Sequence, residues 1–359
     1  MGWRSQQYGS FERFLVALSR RSESLGMATH LVFNEPVASE AFVSDVHADV
    51  HVARSPANPL DPRFAAGLGR LLRRIRPTYL HVHFGTDAYH TLAVASAAGV
   101  PRRFATKRIV PAPSYVSGLR HRWLASRVER FFTVSARVKR ALEALGVPSS
   151  KLEVCYHGVD PDAYRPDPEA RRRTREALGI SEDARVVLST SHLRPGKGVE
   201  VLPTLAAELS ERPGGVVVLA AGGGPLVEEL RGEAGRLGLA DDTLRFLGVR
   251  EDIPDLLAAA DLHLFPTSGT EGLGSSPIEA LAAGVPVVAT AVSDMEELIS
   301  DVAKVVPPGD HEAIIAACQE VLEADRAELG RRGRELVAER LNVHRAAQQH
   351  IEAYGLEAG

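Results

Sequence analysis

The chain has 359 residues, 45% of them hydrophobic and 25% charged, which predicts a globular protein long enough for two domains with separate cores. Its two cysteines, Cys155 and Cys318, lie far apart and indicate neither a disulfide framework nor a zinc site, so a reducing compartment, the cytoplasm, is expected. The chain has no apolar run of transmembrane length and no signal-type N-terminal segment, which argues against membrane spanning and secretion.

The net charge of −4 combines a basic part and an acidic part. Residues 1–160 hold 22 Lys and Arg against 12 Asp and Glu, a balance of +10, whereas the remainder holds 20 against 34, a balance of −14. The basic part predicts an anionic partner, such as a phosphorylated acceptor or the inner membrane surface to which the protein would be peripheral. Two solvated surfaces without such a partner are the alternative, and no nucleic-acid partner is expected.

Strands and helices alternate in the first part of the chain, which predicts a parallel sheet covered by helices. Residues 1–8 do not form an apolar strand, and the pattern begins at Gly9 and Ser10, which lead into an amphipathic helix. The first strand of this domain is therefore expected to be absent, and a sheet that starts differently is the alternative. Further strands are expected at residues 29–33, 50–53, 79–84, 103–108, 131–134 and 152–156.

Two features of this part have more than one interpretation. His81 and His83 share one face of a strand and could bind a metal, but no third ligand is near in sequence, so His83 is expected to face a ligand cleft at the strand's end. A helix expected over residues 118–131 places four apolar residues at helical spacing beside several arginines, namely Leu119, Trp123, Leu124 and Val128. A core-facing stripe is the favoured interpretation, and a basic amphipathic helix on anionic lipid is the alternative.

The second part has a clearer strand–helix pattern. A strand at residues 185–189 leads into a loop that contains Lys197 between two glycines, an arrangement that suits a diphosphate. Gly222 to Gly224 follow the next strand but match a dinucleotide fingerprint weakly, because Val227 stands at the third glycine position. An NAD-dependent oxidoreductase is therefore not favoured.

Residues 270–288 (TEGLGSSPIEALAAGVPVV) contain the most informative pattern. Glu271 follows an apolar run that predicts a buried strand, and glycines and serines lead from it into a helix. Ser276 is expected to be the N-cap of this helix, with Pro277 at its first position and Glu279 at its third. A helix that begins at the carboxyl end of a parallel strand offers free N–H groups to a phosphate.

Glu271 and Glu279, seven residues apart in EGLGSSPIEA and followed by GVPVV, resemble the donor-site signature of the retaining glycosyltransferases of family 4. Residues 9–13, 157–160 and 191–198 also resemble segments of that family. The resemblance implies the GT-B fold, in which two Rossmann-like doubly wound α/β domains with parallel sheets face each other across a cleft. Residues 1–161 would bind the acceptor, residues 162–340 the nucleotide-sugar donor, and a helix in residues 341–359 would cross back to the first domain.

The resemblance also implies residue roles. Glu271 would face the transferred sugar, Glu279 the ribose and Lys197 the diphosphate, while His192 occupies the family's arginine position with Arg194 as its substitute. Further donor contacts are expected from Gly248, Val249, Arg250, Gly272, Leu273, Gly274, Ser275 and Ser276. The acceptor or diphosphate loop would comprise Gly9, Ser10, His83, Lys107 and Arg108, where Lys107 or Arg108 replaces a histidine that many members carry.

The implied activity is transfer of a sugar from a nucleotide diphosphate sugar to an acceptor hydroxyl, for the synthesis of a glycan or glycoconjugate. Glu271 and Lys197 are the expected catalytic residues. The mechanism is expected to be retaining, front-face and independent of metal and cofactor. A nucleotide-sugar epimerase of the same fold and a non-catalytic partner subunit are the alternatives.

Overall fold

The computed structural model describes residues 8–58, 61–83, 88–210 and 215–356. The chain divides into two compact units, unit 1 comprising Met1–His157 with Val343–Gly359 and unit 2 comprising Gly158–Asn342. Each unit is described by itself. Within the described residues, no helix combines the length and apolar character needed to cross a bilayer.

Helices and strands alternate along most of the described chain. The strands are β1 His30–Phe33, β2 Asp49–Val52, β3 Tyr79–His83, β4 Arg102–Lys107, β5 Arg130–Thr133, β6 Leu152–Val154, β7 Arg185–Thr190, β8 Val216–Ala221, β9 Leu244–Gly248, β10 Leu262–Phe265, β11 Val287–Thr290 and β12 Lys304–Val306. The helices are α1 Ser10–Ser24, α2 Glu40–Asp45, α3 Pro62–Ile75, α4 Ala88–Ala97, α5 Tyr115–Ser126, α6 Ala136–Ala144, α7 Pro168–Ala177, α8 Leu202–Ser210, α9 Val227–Arg236, α10 Ile253–Ala259, α11 Ser276–Ala282, α12 Met295–Ile299, α13 His311–Glu323, α14 Arg326–Arg340 and α15 Val343–Ala353.

Unit 1 has two parallel sheets in its described part, β1–β2 and β3–β4–β5–β6. No described strand joins β1 to β3. The last residue of the strand expected at 79–84 lies outside the described residues, and β3 itself extends from Tyr79 to His83.

Helix α15 belongs to the core of unit 1 although it follows unit 2 in the sequence. It packs against α1, where the rings of Phe14 and His350 lie 5.0 Å apart. Phe104, Phe132 and Ile351 are completely buried in the same cluster. Because these apolar side chains come from both ends of the chain, the core of unit 1 requires both ends.

Helix α5 differs from the expected orientation. Leu119 and Trp123 are 43% and 36% exposed, so the expectation that they face the core is wrong, although Leu124 is buried as expected. The buried face also includes Gly118, where a Cβ would lie 3.1 Å from the carbonyl oxygen of Leu145. The small glycine allows this face to approach closely, and the larger apolar side chains are therefore left outside.

Unit 2 has one six-stranded parallel sheet in the order β12–β11–β10–β7–β8–β9. If β7 to β12 are numbered 1 to 6, the sheet read from β9 to β12 has the strand order 3-2-1-4-5-6. This is the order of a dinucleotide-binding sheet. The strands are rich in valine and leucine, and Val187, Leu262 and Val288 are fully buried between the covering helices. The strand order reverses between β7 and β10.

Local signals explain where the helices of unit 2 begin and end. At α7, the carboxylate of Asp167 accepts hydrogen bonds from the N–H groups of Glu169 and Ala170, at 3.0 and 2.8 Å, and Pro168 occupies the first turn. Gly179 follows the helix with a φ of 61°, a conformation that ends helices readily when glycine provides it.

Candidate functional site

The candidate site of unit 2 lies where the strand order of its sheet reverses. Strand β7 pairs with β8 on one side and with β10 on the other, so the loops that follow β7 and β10 diverge from adjacent strands. In open parallel sheets, ligands bind outside the carboxyl ends of the strands at this reversal. These two loops carry Lys197 and Glu271, respectively.

Backbone contacts hold the two loops together. The carbonyl oxygen of Gly196 accepts hydrogen bonds from the N–H groups of Ser268 and Gly269, at 3.1 and 2.7 Å. Gly198 has a φ of 67°, and a Cβ at this position would lie 1.8 Å from the carbonyl oxygen of Pro266. Only glycine fits such a conformation and such a close approach. The backbone on both sides of Lys197 is therefore fixed against the loop after β10.

Lys197 and Glu271 form an ion pair, in which the Nζ atom of Lys197 donates to Oε1 of Glu271. Their side chains are only 15% and 18% exposed. The pair brings together the two residues expected to be catalytic, which lie 74 positions apart in sequence. It places one ammonium group and one carboxylate beside the strand reversal.

Two hydroxyl groups support the Glu271 loop, and the sequence did not indicate either. Ser293 Oγ donates to the carbonyl oxygen of Gly272, and Thr290 Oγ1 donates to that of Thr267, both at 2.5 Å. Thr290 is the last residue of β11, and Ser293 lies three residues beyond it. The stretch that contains them has no recognisable motif. Their roles depend on tertiary contacts, which no local pattern could reveal.

Helix α11 begins one residue earlier than predicted. Its N-cap is Ser275, which already has helical dihedral angles of φ −82° and ψ −30° and makes no capping hydrogen bond with its side chain. The capping box predicted for Ser276 and Glu279 is therefore wrong, because Ser276 is already the first helical residue. Glu279 lies in the second half of the first turn and is 9% exposed. Leu273 in the preceding loop is buried, and Gly274 has a φ of 80°.

The other expected donor residues lie on neighbouring loops of unit 2. His192 and Arg194 are exposed. Gly248 and Val249 are also exposed, and Arg250 forms an ion pair with Asp252. The hydrogen bonds of that pair raise the pKa of Arg250 and lower the pKa of Asp252. Among the described residues, none of these side chains forms a hydrogen bond or an ion pair with Lys197 or Glu271.

The glycines after β8 have a structural role in the loop packing. A Cβ on Gly222 would lie 1.8 Å from the carbonyl oxygen of Ser191, and one on Gly224 would lie 2.2 Å from that of Leu193. The N–H of Gly222 donates to the carbonyl oxygen of Gly248 at 2.7 Å. These contacts explain the glycine run without a dinucleotide.

In unit 1, some of the expected acceptor or diphosphate residues come together around α1. Gly9 is the N-cap of this helix, which begins at Ser10, and the N–H of Gly9 donates to Oε2 of Glu12 at 3.2 Å. The Arg108 guanidinium lies 4.4 Å from the ring centroid of Phe11. Burial lowers the pKa of Arg108 to about 10, and the nearby Cys155 and Glu12 counteract this shift. Glu12 lies in the segment 9–13 that resembles the family but was not among the expected site residues, and it is only 2% exposed.

His83 and Lys107 lie at the ends of adjacent strands. The ring of His83 stacks on the ring of His81, with 4.2 Å between the ring centroids. Burial lowers the pKa of His83 well below its ordinary value. His81 uses both ring nitrogens, with Tyr354 Oη at 2.5 Å and Thr106 Oγ1 at 2.7 Å, so it has no nitrogen left for a metal. Burial also lowers the pKa of Lys107.

Two family models match almost the whole chain. The model described as Glycosyltransferase Family 4 matches residues 11–163, and the model described as Glycosyl transferases group 1 matches residues 170–336. The expected fold is also confirmed. The solved structure of the Anabaena protein HepE in complex with UDP aligns with a TM-score of 0.82 over 98% of both chains, at 23% identity. The fold is thus of the GT-B class, with two Rossmann-like units.

Curated relatives agree with these matches. A GDP-mannose-dependent α-(1-6)-phosphatidylinositol monomannoside mannosyltransferase of Mycolicibacterium smegmatis is 38% identical over 198 residues, which are 52% of this chain and 52% of the relative. The chain thus spans about half the length of this relative. The 2-deoxystreptamine glucosyltransferase of Streptomyces kanamyceticus is 29% identical over 79% of both chains. The chain belongs to glycosyltransferase family 4, the group 1 glycosyl transferases.

Proposed function

We propose that this protein transfers a sugar from a nucleotide diphosphate sugar to an acceptor hydroxyl, and that unit 2 binds the donor. The observation that carries this proposal is the ion pair of Lys197 and Glu271 at the strand reversal of the unit 2 sheet. Nucleotides bind at this position in doubly wound sheets. The relatives support the donor class, since one is a GDP-mannose-dependent enzyme and a solved neighbour holds UDP.

The charge of Lys197 explains how the pair would assist the reaction. When the sugar–phosphate bond breaks, negative charge develops on the departing diphosphate, and an ammonium group held at that position stabilises it. In the structure, Glu271 accepts the hydrogen bond of Lys197. A bound diphosphate would replace Glu271 as the ion-pair partner of Lys197, and the Glu271 carboxylate could then orient the sugar. The first-turn N–H groups of α11 have no acceptor within their helix and would add donors to the phosphate.

We propose the finer features of the reaction on the basis of the same arrangement. A lysine and the N–H groups of a loop would neutralise the diphosphate without a metal ion. Glu271 would occupy one side of the sugar, and the acceptor would approach on the side of the leaving phosphate. That phosphate would take the proton of the acceptor hydroxyl. This front-face route retains the anomeric configuration. Glu279 would hold the ribose, and unit 1 would bind the acceptor.

Substitution of the ion pair tests this proposal. Lys197→Ala and Glu271→Ala should each lower kcat by about 10²- to 10³-fold, the usual effect of removing one group that stabilises transition-state charge. Lys304→Ala is the matched control, because Lys304 pairs with Glu320 on the exposed surface of the same unit. The donor itself is found by a thermal-shift screen with UDP-, GDP-, ADP- and TDP-sugars. Unchanged turnover in both pair variants would refute the assignment.

Two outcomes would point to the alternatives. Isomerisation of the donor sugar without any acceptor would indicate an epimerase. If no nucleotide sugar raises the melting temperature, a non-catalytic partner subunit is indicated. Retention is tested by NMR of the product's anomeric proton, and metal independence by turnover in EDTA.

We also propose that the acceptor lies at an anionic membrane surface, to which unit 1 binds through the α5 face, defined as Tyr115, Val116, Leu119 and Trp123. Ten large hydrophobic side chains of the described residues are exposed, and five of them fall within residues 109–123. Residues 88–128 contain seven arginines and lysines and no aspartate or glutamate. Exposed aromatic and aliphatic side chains beside arginines favour an interface that is apolar and negatively charged.

Vesicle sedimentation tests the α5 face. The protein should bind vesicles that contain phosphatidylglycerol more strongly than purely zwitterionic ones, and binding should weaken with salt. Trp123→Ser and Leu119→Ser should reduce the bound fraction. Leu237→Ser is the matched control, because Leu237 is equally exposed, at 42%, but lies in unit 2. Equal binding of all three variants would exclude this face as the contact.

A further inference from the structure

The parallel pairing of β1 with β2 places three potential metal ligands on one face of a small sheet. In this register His30 lies opposite Asp49, and Val32 lies opposite His51. Side chains alternate between the two faces of a strand, so residues two apart share a face. Asp49 and His51 therefore project on the same side, and His30 projects there too because it is paired with Asp49.

The distances among these side chains fit a tetrahedral metal site. Nδ1 of His30 lies 3.2 Å from Nε2 of His51 and 3.2 Å from Oδ2 of Asp49, and the three ligand atoms lie within 4.8 Å of one another. Zinc bonds to nitrogen and oxygen of about 2.0–2.1 Å in a tetrahedron separate the ligand atoms by about 3.3 Å. The two separations from His30 therefore match the spacing that a zinc ion requires.

Hydrogen bonding alone explains this cluster less well. A ring nitrogen has either one hydrogen or one lone pair, so Nδ1 of His30 can bond both neighbours only by sharing a single hydrogen between Asp49 and His51. A metal ion at the centre of the three atoms would satisfy all of them, because neutral imidazoles and a carboxylate are the ligands that zinc prefers. Asp49 is 74% exposed, which leaves the cluster open to solvent.

We propose that His30, Asp49 and His51 bind one Zn²⁺ ion, with water at the fourth position. This site is separate from the donor residues of unit 2 and goes beyond glycosyl transfer. The ion would join β1 to β2 across the segment that contains α2. A two-stranded sheet has little stability of its own, and a metal that links both strands would stabilise it.

The test is a zinc titration of the tag-free, EDTA-treated and dialysed full chain, followed by equilibrium dialysis and metal analysis. We expect one tightly bound equivalent. His51→Ala and Asp49→Asn should each weaken binding by more than about tenfold, since even residues that only support metal ligands have effects of that size. His47→Ala is the matched control, because His47 is nearby and pairs with Glu23 outside the cluster.

A second measurement separates the site from other histidines of the chain. Zinc should raise the melting temperature of the wild type and of His47→Ala, but not that of His51→Ala, since only binding to the folded cluster stabilises. Circular dichroism verifies that each variant is folded. Absence of a bound equivalent in the wild type, or equal binding by folded His51→Ala and wild type, would overturn the proposal. Neither result would affect the assignment of Lys197 and Glu271.

Discussion

Asp261 and Arg175 form an ion pair in which neither side chain is exposed to solvent, with 2.8 Å between Oδ2 and Nη2. The same carboxylate oxygen accepts a hydrogen bond from the N–H of Val186 at 2.8 Å, and the other oxygen accepts from Arg171 and Arg326. One carboxylate therefore pairs with three arginines and anchors the start of β7. Strand β7 in turn carries the loop that contains Lys197.

Replacement of this carboxylate should destabilise unit 2. Asp261→Asn keeps the size of the side chain but leaves the buried charge of Arg175 without compensation, which typically costs about 3–5 kcal/mol. Urea unfolding, followed with probes in each unit, should show an earlier transition for unit 2. Glu328→Gln removes an exposed partner of Arg331 and should leave the midpoint unchanged. An unchanged midpoint in Asp261→Asn would contradict the importance of the buried network.

Gly198 offers a test of the contact that fixes Lys197. Gly198→Ala would place a Cβ 1.8 Å from the Pro266 carbonyl oxygen, so the loop must move and donor binding should weaken. Gly179→Ala is a matched control, because its φ of 61° is similar but nothing lies within 4 Å of the added Cβ. The control should lose only about 1–2 kcal/mol of stability, the cost of a left-handed conformation. Calorimetry with the donor should detect the difference; equal affinities would show that the loop tolerates displacement.

The buried histidines of unit 1 predict acid sensitivity. Burial lowers the pKa of His350 to about 4, and it lowers the pKa values of His81, His83 and His157 well below the ordinary value. An unfolded histidine titrates near 6.5. The unfolded state therefore binds more protons below that pH, and folding stability is complete above pH 6.5 and is lost as the pH falls towards 4.

The contribution of His350 can be measured from the slope of the unfolding free energy against pH. Each such histidine contributes up to about 1.4 kcal/mol per pH unit to the decrease in unfolding free energy. His350→Phe keeps the stacking against Phe132, whose ring lies 4.2 Å away, and should make the decrease shallower between pH 6.5 and 4. His311→Gln alters an exposed residue of unit 2 and should leave the slope unchanged. Parallel curves for wild type and His350→Phe would show that His350 does not titrate on unfolding.

Local sequence patterns predicted most strands of unit 2 because buried parallel strands have continuous apolar runs. The strand expected at 185–189 is Arg185–Thr190 in the structure, one residue longer. Resemblance to the family also selected Lys197 and Glu271. Contacts between distant segments were less predictable: Ser293 and Asp261 act through partners far along the chain, which no local motif marks. At α5, apolar residues occupy both faces, so helical spacing alone could not decide whether Leu119 and Trp123 face the core.

The position of α15 has a consequence for synthesis of the protein. Unit 2 is continuous in sequence and can begin to fold as soon as residue 342 has left the ribosome, whereas unit 1 lacks part of its core until α15 has also emerged. We therefore expect the domain that is translated first to be the last to acquire its native structure. During that interval Phe14 and its apolar neighbours remain uncovered, and they form a surface for a chaperone to protect.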